Sequence, residues 1–98
     1  MEQPMDIADW RRKIDDLDRE LVRLLNDRAR CVAEIGKIKR QNGLPIQEPS
    51  REQEVLQHAL EANQGPLDNE ALRRVFRQIL EEGKGLQRQL MEGSAGNR

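Results

Sequence analysis

The stretch of sequence that decides the fold runs from residue 7 to residue 41 and reads IADWRRKIDDLDRELVRLLNDRARCVAEIGKIKRQ. It contains no proline, and its apolar side chains return every third or fourth residue, so it predicts one long amphipathic helix. In heptads counted from its first residue, the a and d positions form a seam of Ile7, Trp10, Ile14, Leu17, Leu21, Leu24, Arg28, Cys31, Ile35 and Ile38. Nine of these ten residues are apolar or carry a thiol, and the tenth is an arginine.

Arg28 is the charged exception in this seam, and it needs a partner. A guanidinium costs several kcal/mol to desolvate alone, and it cannot lose its proton instead. Arg28 therefore either sets the register of helix pairing or faces an anion. Lys39 follows eleven residues later, about three helical turns, and projects from nearly the same face. Two cations on one face of a helix suggest a site for a small anion.

The composition indicates one small helical domain. Of its 98 residues, 36% are charged, and the balance of 17 basic and 18 acidic residues gives a net charge of −1. That balance argues against a partner such as nucleic acid or an anionic membrane. The one cysteine, Cys31, excludes a disulfide framework and a cysteine-rich zinc site, and we expect it in a core. The sequence has no membrane-spanning run and no signal-peptide pattern, so we expect a cytoplasmic protein.

Capping signals bound the first two helices. Asp6 can cap the first helix, and the pair Asn42-Gly43 stops it at its C-terminal end. Ser50 and Gln53 form a capping-box pattern, which predicts that the second helix starts at Ser50.

The third helix follows Gly65-Pro66 and starts after Asp68, which can cap it. Its apolar side chains return at helical spacing, at Leu72, Val75, Phe76, Ile79, Leu80, Leu86 and Leu90. The last six residues are small and polar. We therefore predict an all-α chain with one helical domain, 1–92, and a flexible C-terminal tail, 93–98.

The length of the first helix predicts a dimer. Its 35 residues would span about 50 Å, whereas a compact chain of this size has a radius of gyration of about 13 Å. Much of the seam would face water unless a partner chain covered it. If two chains pair antiparallel about an axis near residue 22, Arg11 of one lies opposite the interval between Arg28 and Lys39 of the other. Two equivalent sites with three cations each would result, although Arg11 could equally be a solvated helix residue.

Polar residues on the later helices could complete such a site. Glu48 precedes the second helix and Glu52 lies in its first turn, where the helix dipole also favours a carboxylate for structural reasons alone. Arg51 is adjacent but points about 100° away from Glu52. Gln87 lies beside the apolar face of the third helix, where glutamine is commonly a simple boundary residue.

Taken in order, these helices resemble a known family. The first helix carries three spaced motifs, Arg11-x-x-Ile14-x-x-Leu17-Asp18, Leu24-Leu25-x-x-Arg28 and Ile35-Gly36-x-x-Lys39. The later motifs are Pro45-Ile46, Arg51-Glu52 and Glu81-x-x-x-x-x-Gln87. Each is weak alone, but their joint order and spacing resemble the all-helical class of chorismate mutases.

The resemblance implies an intertwined homodimer of three-helix chains, with antiparallel first helices and composite active sites. It also implies an enzyme, an isomerase that converts the dianion chorismate to prephenate on the route to phenylalanine and tyrosine. This is an intramolecular Claisen rearrangement, for which no cofactor and no metal is expected. Such an enzyme holds the substrate in its reactive conformer and stabilises charge on the breaking ether oxygen.

The resemblance also assigns roles to residues. Arg28, with Arg11 of the partner subunit, is expected to bind the two substrate carboxylates, and Arg51 assists. Lys39 and Gln87 are expected to donate hydrogen bonds to the ether oxygen. The catalytic set is thus Lys39, Gln87, Arg28 and Glu52, and the substrate-binding set is Arg11, Arg28, Lys39, Glu48, Arg51, Glu52, Gly83 and Gln87.

The chain departs from the family at two of these positions. Glu52 and Glu48 are expected to orient the ring hydroxyl of the substrate, but the family usually has aspartate at position 48. Serine is common where this chain has Gly83. Both departures bear on efficiency rather than on the type of reaction.

Two other functions stay open on the sequence. An isochorismate pyruvate lyase shares the fold and a similar cationic pocket, so the same cations would suit its substrate. A non-catalytic helical dimerisation module, in which the seam arginine sets the register, would pair Arg28 with acidic residues and would have no pocket.

Overall fold

A computed structural model of the chain describes the backbone of residues 4–96 and the side chains of residues 4–92. The described residues form three α-helices and no β-strand: α1 spans Ile7–Gln41, α2 spans Pro49–Ala62 and α3 spans Asn69–Gly96. The prediction of an all-α chain with a long first helix is confirmed.

Both ends of α1 are closed by the predicted signals. At the start, the amide of Asp9 donates to Oδ1 of Asp6 at 2.8 Å, and the amide of Asp6 donates to Oδ2 of Asp9 at 3.1 Å. At the end, Gly43 adopts a φ of +65°, which costs glycine little because it has no Cβ. The amide of Leu44 then donates to the carbonyl of Lys39 at 2.8 Å. This bond turns the chain back along the last turn of α1.

Helix α2 begins one residue earlier than the sequence predicts, at Pro49 rather than Ser50. Glu48 occupies the N-cap, and its side chain makes no capping hydrogen bond. The capping-box prediction is therefore wrong. Proline suits the first helical position because its ring fixes φ and its missing N–H has no intrahelical acceptor there. The carboxylate of Glu48 is therefore available to bind a group other than the helix N-terminus.

Helix α3 starts after the predicted cap, since the amide of Ala71 donates to Oδ1 of Asp68 at 2.7 Å. The helix continues to Gly96, so residues 93–96 of the expected tail have helical backbone. Residues 97 and 98 of that tail lie outside the described residues. A domain that ends at residue 92, followed by a flexible tail, stays a prediction.

The chain divides into two compact units after Cys31. As described, the first unit, residues 4–31, is the N-terminal part of α1 with its capping residues. The second unit, from Val32, contains the end of α1 and helices α2 and α3, and within it α2 packs against α3. Arg11 and Arg28 belong to the first unit, and the other predicted site residues belong to the second.

The apolar seam of the first unit is exposed in the single chain. Ile7, Ile14 and Leu17 expose 68%, 53% and 59% of their surface, and Cys31 is exposed as well. The expectation that Cys31 lies in a core therefore does not hold within one chain. No hydrophobic side chain of the described residues is buried. None of the helices in the described part of the chain is both long enough and apolar enough to span a bilayer.

Candidate active site

Lys39, near the C-terminal end of α1, is a buried cation with 8% of its surface exposed. Its Nζ donates to the carbonyl of Ile46 at 2.9 Å and lies 2.9 Å from Oε1 of Glu48. Both partners come from the connection that turns back after Gly43. An ammonium has three N–H donors, so these contacts engage two of them and leave one for a further acceptor.

Gln87 on α3 is a buried amide with 6% of its surface exposed. Its Nε2 donates to the carbonyl of Val32 at 3.1 Å, which joins α3 to the end of α1. Gly36 permits this approach, because a Cβ at position 36 would lie 3.1 Å from Cγ of Gln87. Carbon atoms pack favourably at about 3.5–4.0 Å, so a larger residue would require Gln87 to shift by a few tenths of an ångström. The second N–H of the amide remains available to a ligand.

Lys39 projects from the same face of α1 against which Gln87 packs. Gln87 contacts Gly36, which precedes Lys39 by three residues, and residues three apart share a helix face. They are the two buried polar side chains in the described part of the chain. Together they can present two hydrogen-bond donors, one of them with a full positive charge, to a small acceptor.

The start of α2 supplies two carboxylates, one turn apart. Glu48 contacts Lys39, and the amide of Glu52 donates to the carbonyl of Glu48 at 3.0 Å. Oε2 of Glu52 lies 3.3 Å from Nζ of Lys84 on α3, and the Glu52 side chain is 30% exposed. Each carboxylate therefore faces a lysine from a different helix.

Arg51 and Gly83 are the remaining predicted site residues of the second unit. Nη1 of Arg51 lies 3.1 Å from Oε1 of Glu54, and its side chain is 57% exposed. In the single chain Arg51 therefore pairs along its own helix. Gly83 is half-buried on α3, one turn before Gln87, and offers only its backbone.

Lys84 is a charged residue of this region that sequence analysis missed. Its Nζ lies 2.9 Å from Oε2 of Glu81 and 3.3 Å from Oε2 of Glu52, and its side chain is 15% exposed. Hydrogen bonding by Glu81 raises the pKa of Lys84 above its ordinary value, against the opposing effect of desolvation, and Glu52 raises it further. The same contact lowers the pKa of the Glu81 carboxyl. Its spacing of three residues from Gln87, which places both on one helix face, was the signal available in the sequence.

The first unit holds the two remaining predicted cations. Arg28 is half-buried and Arg11 is exposed. The arginines that form ion pairs within the described part of this unit, each with a carboxylate one turn away, are Arg12, Arg19, Arg23 and Arg30. Arg11 and Arg28, beside and on the seam, are not among them. No cluster of three metal-ligating side chains occurs in the described residues.

The fold and the site define an all-helical protein whose candidate site combines a buried lysine and a buried glutamine with two carboxylates. A family model described as chorismate mutase type II matches residues 10–88 of the chain. The chain belongs to this family, and the resemblance stated from its motifs is confirmed.

Individual relatives support the same assignment. The solved structure of chorismate mutase (form II) from Thermus thermophilus covers 84% of this chain and 93% of that one, with a TM-score of 0.82 and 36% identity. A chorismate mutase of Methanocaldococcus jannaschii is 29% identical over 87 residues, which are 88% of each chain. A bifunctional chorismate mutase/prephenate dehydratase of Stutzerimonas stutzeri is 39% identical over 83 residues, which are 80% of this chain and 23% of that protein. The chain thus spans about a quarter of the length of the bifunctional relatives that it matches.

Proposed function

We propose that this chain catalyses the rearrangement of chorismate to prephenate. The observation that carries the proposal is the burial of Lys39 and Gln87 against one face of α1. Both side chains are donors, and each retains the capacity for one more hydrogen bond. Membership of the chorismate mutase type II family supports the same activity.

To catalyse this reaction, the protein must hold the substrate in position and supply positive charge to the ether oxygen. The ether C–O bond breaks while a carbon–carbon bond forms within the same molecule, and negative charge grows on the ether oxygen. A donor at that oxygen binds the transition state more tightly than the substrate, which raises kcat. Lys39 supplies a full positive charge there, and the amide of Gln87 supplies a second donor without a titrating proton.

The contacts of Lys39 orient its ammonium before substrate binds. The carbonyl of Ile46 and the carboxylate of Glu48, each at 2.9 Å, set the direction of two N–H bonds and therefore of the third. Donors that are already aimed need no reorganisation as the charge develops. We therefore propose that Glu48 positions Lys39, besides its expected contact with the ring hydroxyl.

The remaining contacts to the substrate are those that the family resemblance implies. Arg28 and Arg11 of the partner subunit are proposed to bind the two carboxylates as planar, bidentate pairs, with Arg51 assisting. Glu52 is proposed to accept a hydrogen bond from the ring hydroxyl. Gly83 would approach the substrate with its backbone alone.

An assay of the purified protein with chorismate tests the function. We expect chorismate to be lost at the rate at which prephenate appears. Substrate and product are isomers, so NMR identifies the product where mass alone cannot. A lyase would instead release pyruvate when it is given isochorismate. A non-catalytic dimerisation module would leave both chorismate and isochorismate unchanged. Either outcome would contradict the proposal.

Prephenate formation would place the chain in the biosynthesis of phenylalanine and tyrosine. We propose the cytoplasm as its compartment.

We also propose that two chains pair through the seams of their first helices, antiparallel and intertwined, as the family resemblance implies. Trp10, Leu21 and Leu24 each expose about half of their surface in the single chain, at 51%, 52% and 51%. Burying apolar surface contributes about 25 cal/mol per Å², so covering a seam of this length is strongly favourable. A second copy of the chain presents a seam of the same length and pattern.

We expect sedimentation to find a dimer, with no well-folded monomer at low micromolar concentration, because folding and pairing bury the same seam. Leu17→Glu, which places a charge in the seam, should dissociate the dimer and lower helicity. Asp16→Glu is the matched control, since Asp16 is exposed and pairs with Arg19 on its own helix. A compact, fully helical monomer, or a Leu17→Glu dimer as stable as the control, would contradict this pairing.

A further inference from the structure

Lys84 joins α3 to α2 through an ion pair unlike most others in the described residues. Most pairs join residues three or four apart on one helix, where exposure and side-chain entropy leave each pair with only a small stabilising effect. Lys84 also has such a partner in Glu81 at 2.9 Å, but its contact with Glu52 at 3.3 Å crosses between helices. A lysine with 15% of its side chain exposed is seldom found without a specific partner.

Two lysines thus hold two carboxylates at the start of α2. Lys39 from α1 contacts Glu48, and Lys84 from α3 contacts Glu52 one turn later. These contacts tie the start of α2 to the end of α1 and to α3. They also use one oxygen of each carboxylate, Oε1 of Glu48 and Oε2 of Glu52, and leave the other oxygen for an incoming donor.

We propose that Lys84 is a positioning residue, which orients the carboxylate of Glu52 so that its second oxygen accepts the ring hydroxyl of the substrate. This inference rests on the proposed function, in which Glu52 binds that hydroxyl. Lys84 acts through Glu52 and does not contact the reacting atoms. Glu81, on the same helix as Lys84, is a second partner of the ammonium.

The test compares Lys84→Met with Glu81→Gln in the full chain. Lys84→Met keeps the length of the side chain but frees Glu52, so we expect kcat/KM to fall about tenfold, less than the roughly 100-fold that a displacement of 1 Å can cost. Glu81→Gln is the matched control, because it removes the other carboxylate from Lys84 and leaves Glu52 paired. We expect it to change kcat/KM less than twofold. Lys84→Arg, which keeps the charge, should recover most of the loss.

A double-mutant cycle with Glu52→Gln separates positioning from other roles. If Lys84 acts through Glu52, Lys84→Met should cause no further loss of kcat/KM in a Glu52→Gln background. Losses that multiply would show that Lys84 acts on the substrate directly or on the whole fold, and would overturn the proposal. Lys84→Met with wild-type kcat/KM would overturn it too.

The melting temperatures of the wild-type protein, Lys84→Met, Glu52→Gln and the double variant test the contact without a measurement of activity. Coupling between Lys84 and Glu52 should make their Tm shifts non-additive by roughly 2–4 °C, and additive shifts would overturn the contact. If the wild-type chain failed to turn over chorismate, the proposed function would fall. The Tm cycle would still decide whether Lys84 positions Glu52.

Discussion

Replacing Lys39 with alanine is expected to lower kcat by about 10²–10³-fold, the range found when an enzyme loses one donor to a developing oxyanion. The substrate carboxylates are charged before and during the reaction, so the arginines chiefly bind and orient. Charge on the ether oxygen grows only as the bond breaks, so loss of Lys39 should weaken substrate binding far less than it lowers kcat. Lys39→Arg should fail as well, because a planar guanidinium cannot deliver a compact charge to the same place.

Controls must separate chemistry from folding, since Lys39 also anchors the connection after α1. Its contacts with Ile46 and Glu48 predict a lower Tm for Lys39→Ala, so kcat is measured where circular dichroism and sedimentation show a folded dimer. Lys37→Ala is the matched control, because Lys37 is on the same helix, pairs with Glu34 and is 64% exposed. It should keep nearly full activity. A folded, dimeric Lys39→Ala protein with near wild-type kcat would rule out the proposed role.

Mixing two inactive variants should restore activity. Arg11→Ala and Arg28→Ala are each expected to be nearly inactive, because every site in either homodimer lacks one guanidinium. In a mixed dimer whose sites combine Arg28 with Arg11 of the partner subunit, one site carries both changes and the other carries neither. Random pairing after unfolding and refolding makes half of the dimers mixed, so about a quarter of wild-type activity should return.

The matched control for this experiment is the pair Arg12→Ala and Arg30→Ala. Both arginines are exposed and pair with carboxylates of their own helix, so each variant should be active before mixing. Native mass spectrometry of the refolded mixture measures the fraction of mixed dimers. Mixed dimers without recovered activity would show that Arg11 and Arg28 do not serve a site shared between subunits.

The helices themselves could be predicted because their signals are local. Asp6, Gly43 and Asp68 act on backbone groups within a few residues, and each bounds its helix as the sequence predicts. The start of α2 was predicted wrongly because two local signals compete there. Pro49 occupies the first helical position, and Ser50, which follows it, lies inside the helix.

The sequence predicted only those features of the site that lie within a single helix. The spacing of α1 placed Lys39 near the seam, but its contacts with Ile46 and Glu48 depend on the path of a connection that no periodicity describes. The contact of Lys84 with Glu52 was missed because it joins two helices. In the sequence, Lys84 and Glu81 have the spacing of an ordinary surface ion pair on one helix. The roles of Arg11 and Arg28 stay predictions, since they concern a second copy of the chain.

The close contact between Gly36 and Gln87 also limits how this sequence can diverge. A side chain at position 36 would meet Cγ of Gln87 at 3.1 Å, and Gln87 is held by the carbonyl of Val32. A larger residue at 36 therefore requires the side chain of Gln87 to shift by a few tenths of an ångström, against its hydrogen bond to Val32. Substitutions at contacting positions do not act independently. In homologous sequences these two positions, far apart along the chain, should therefore covary.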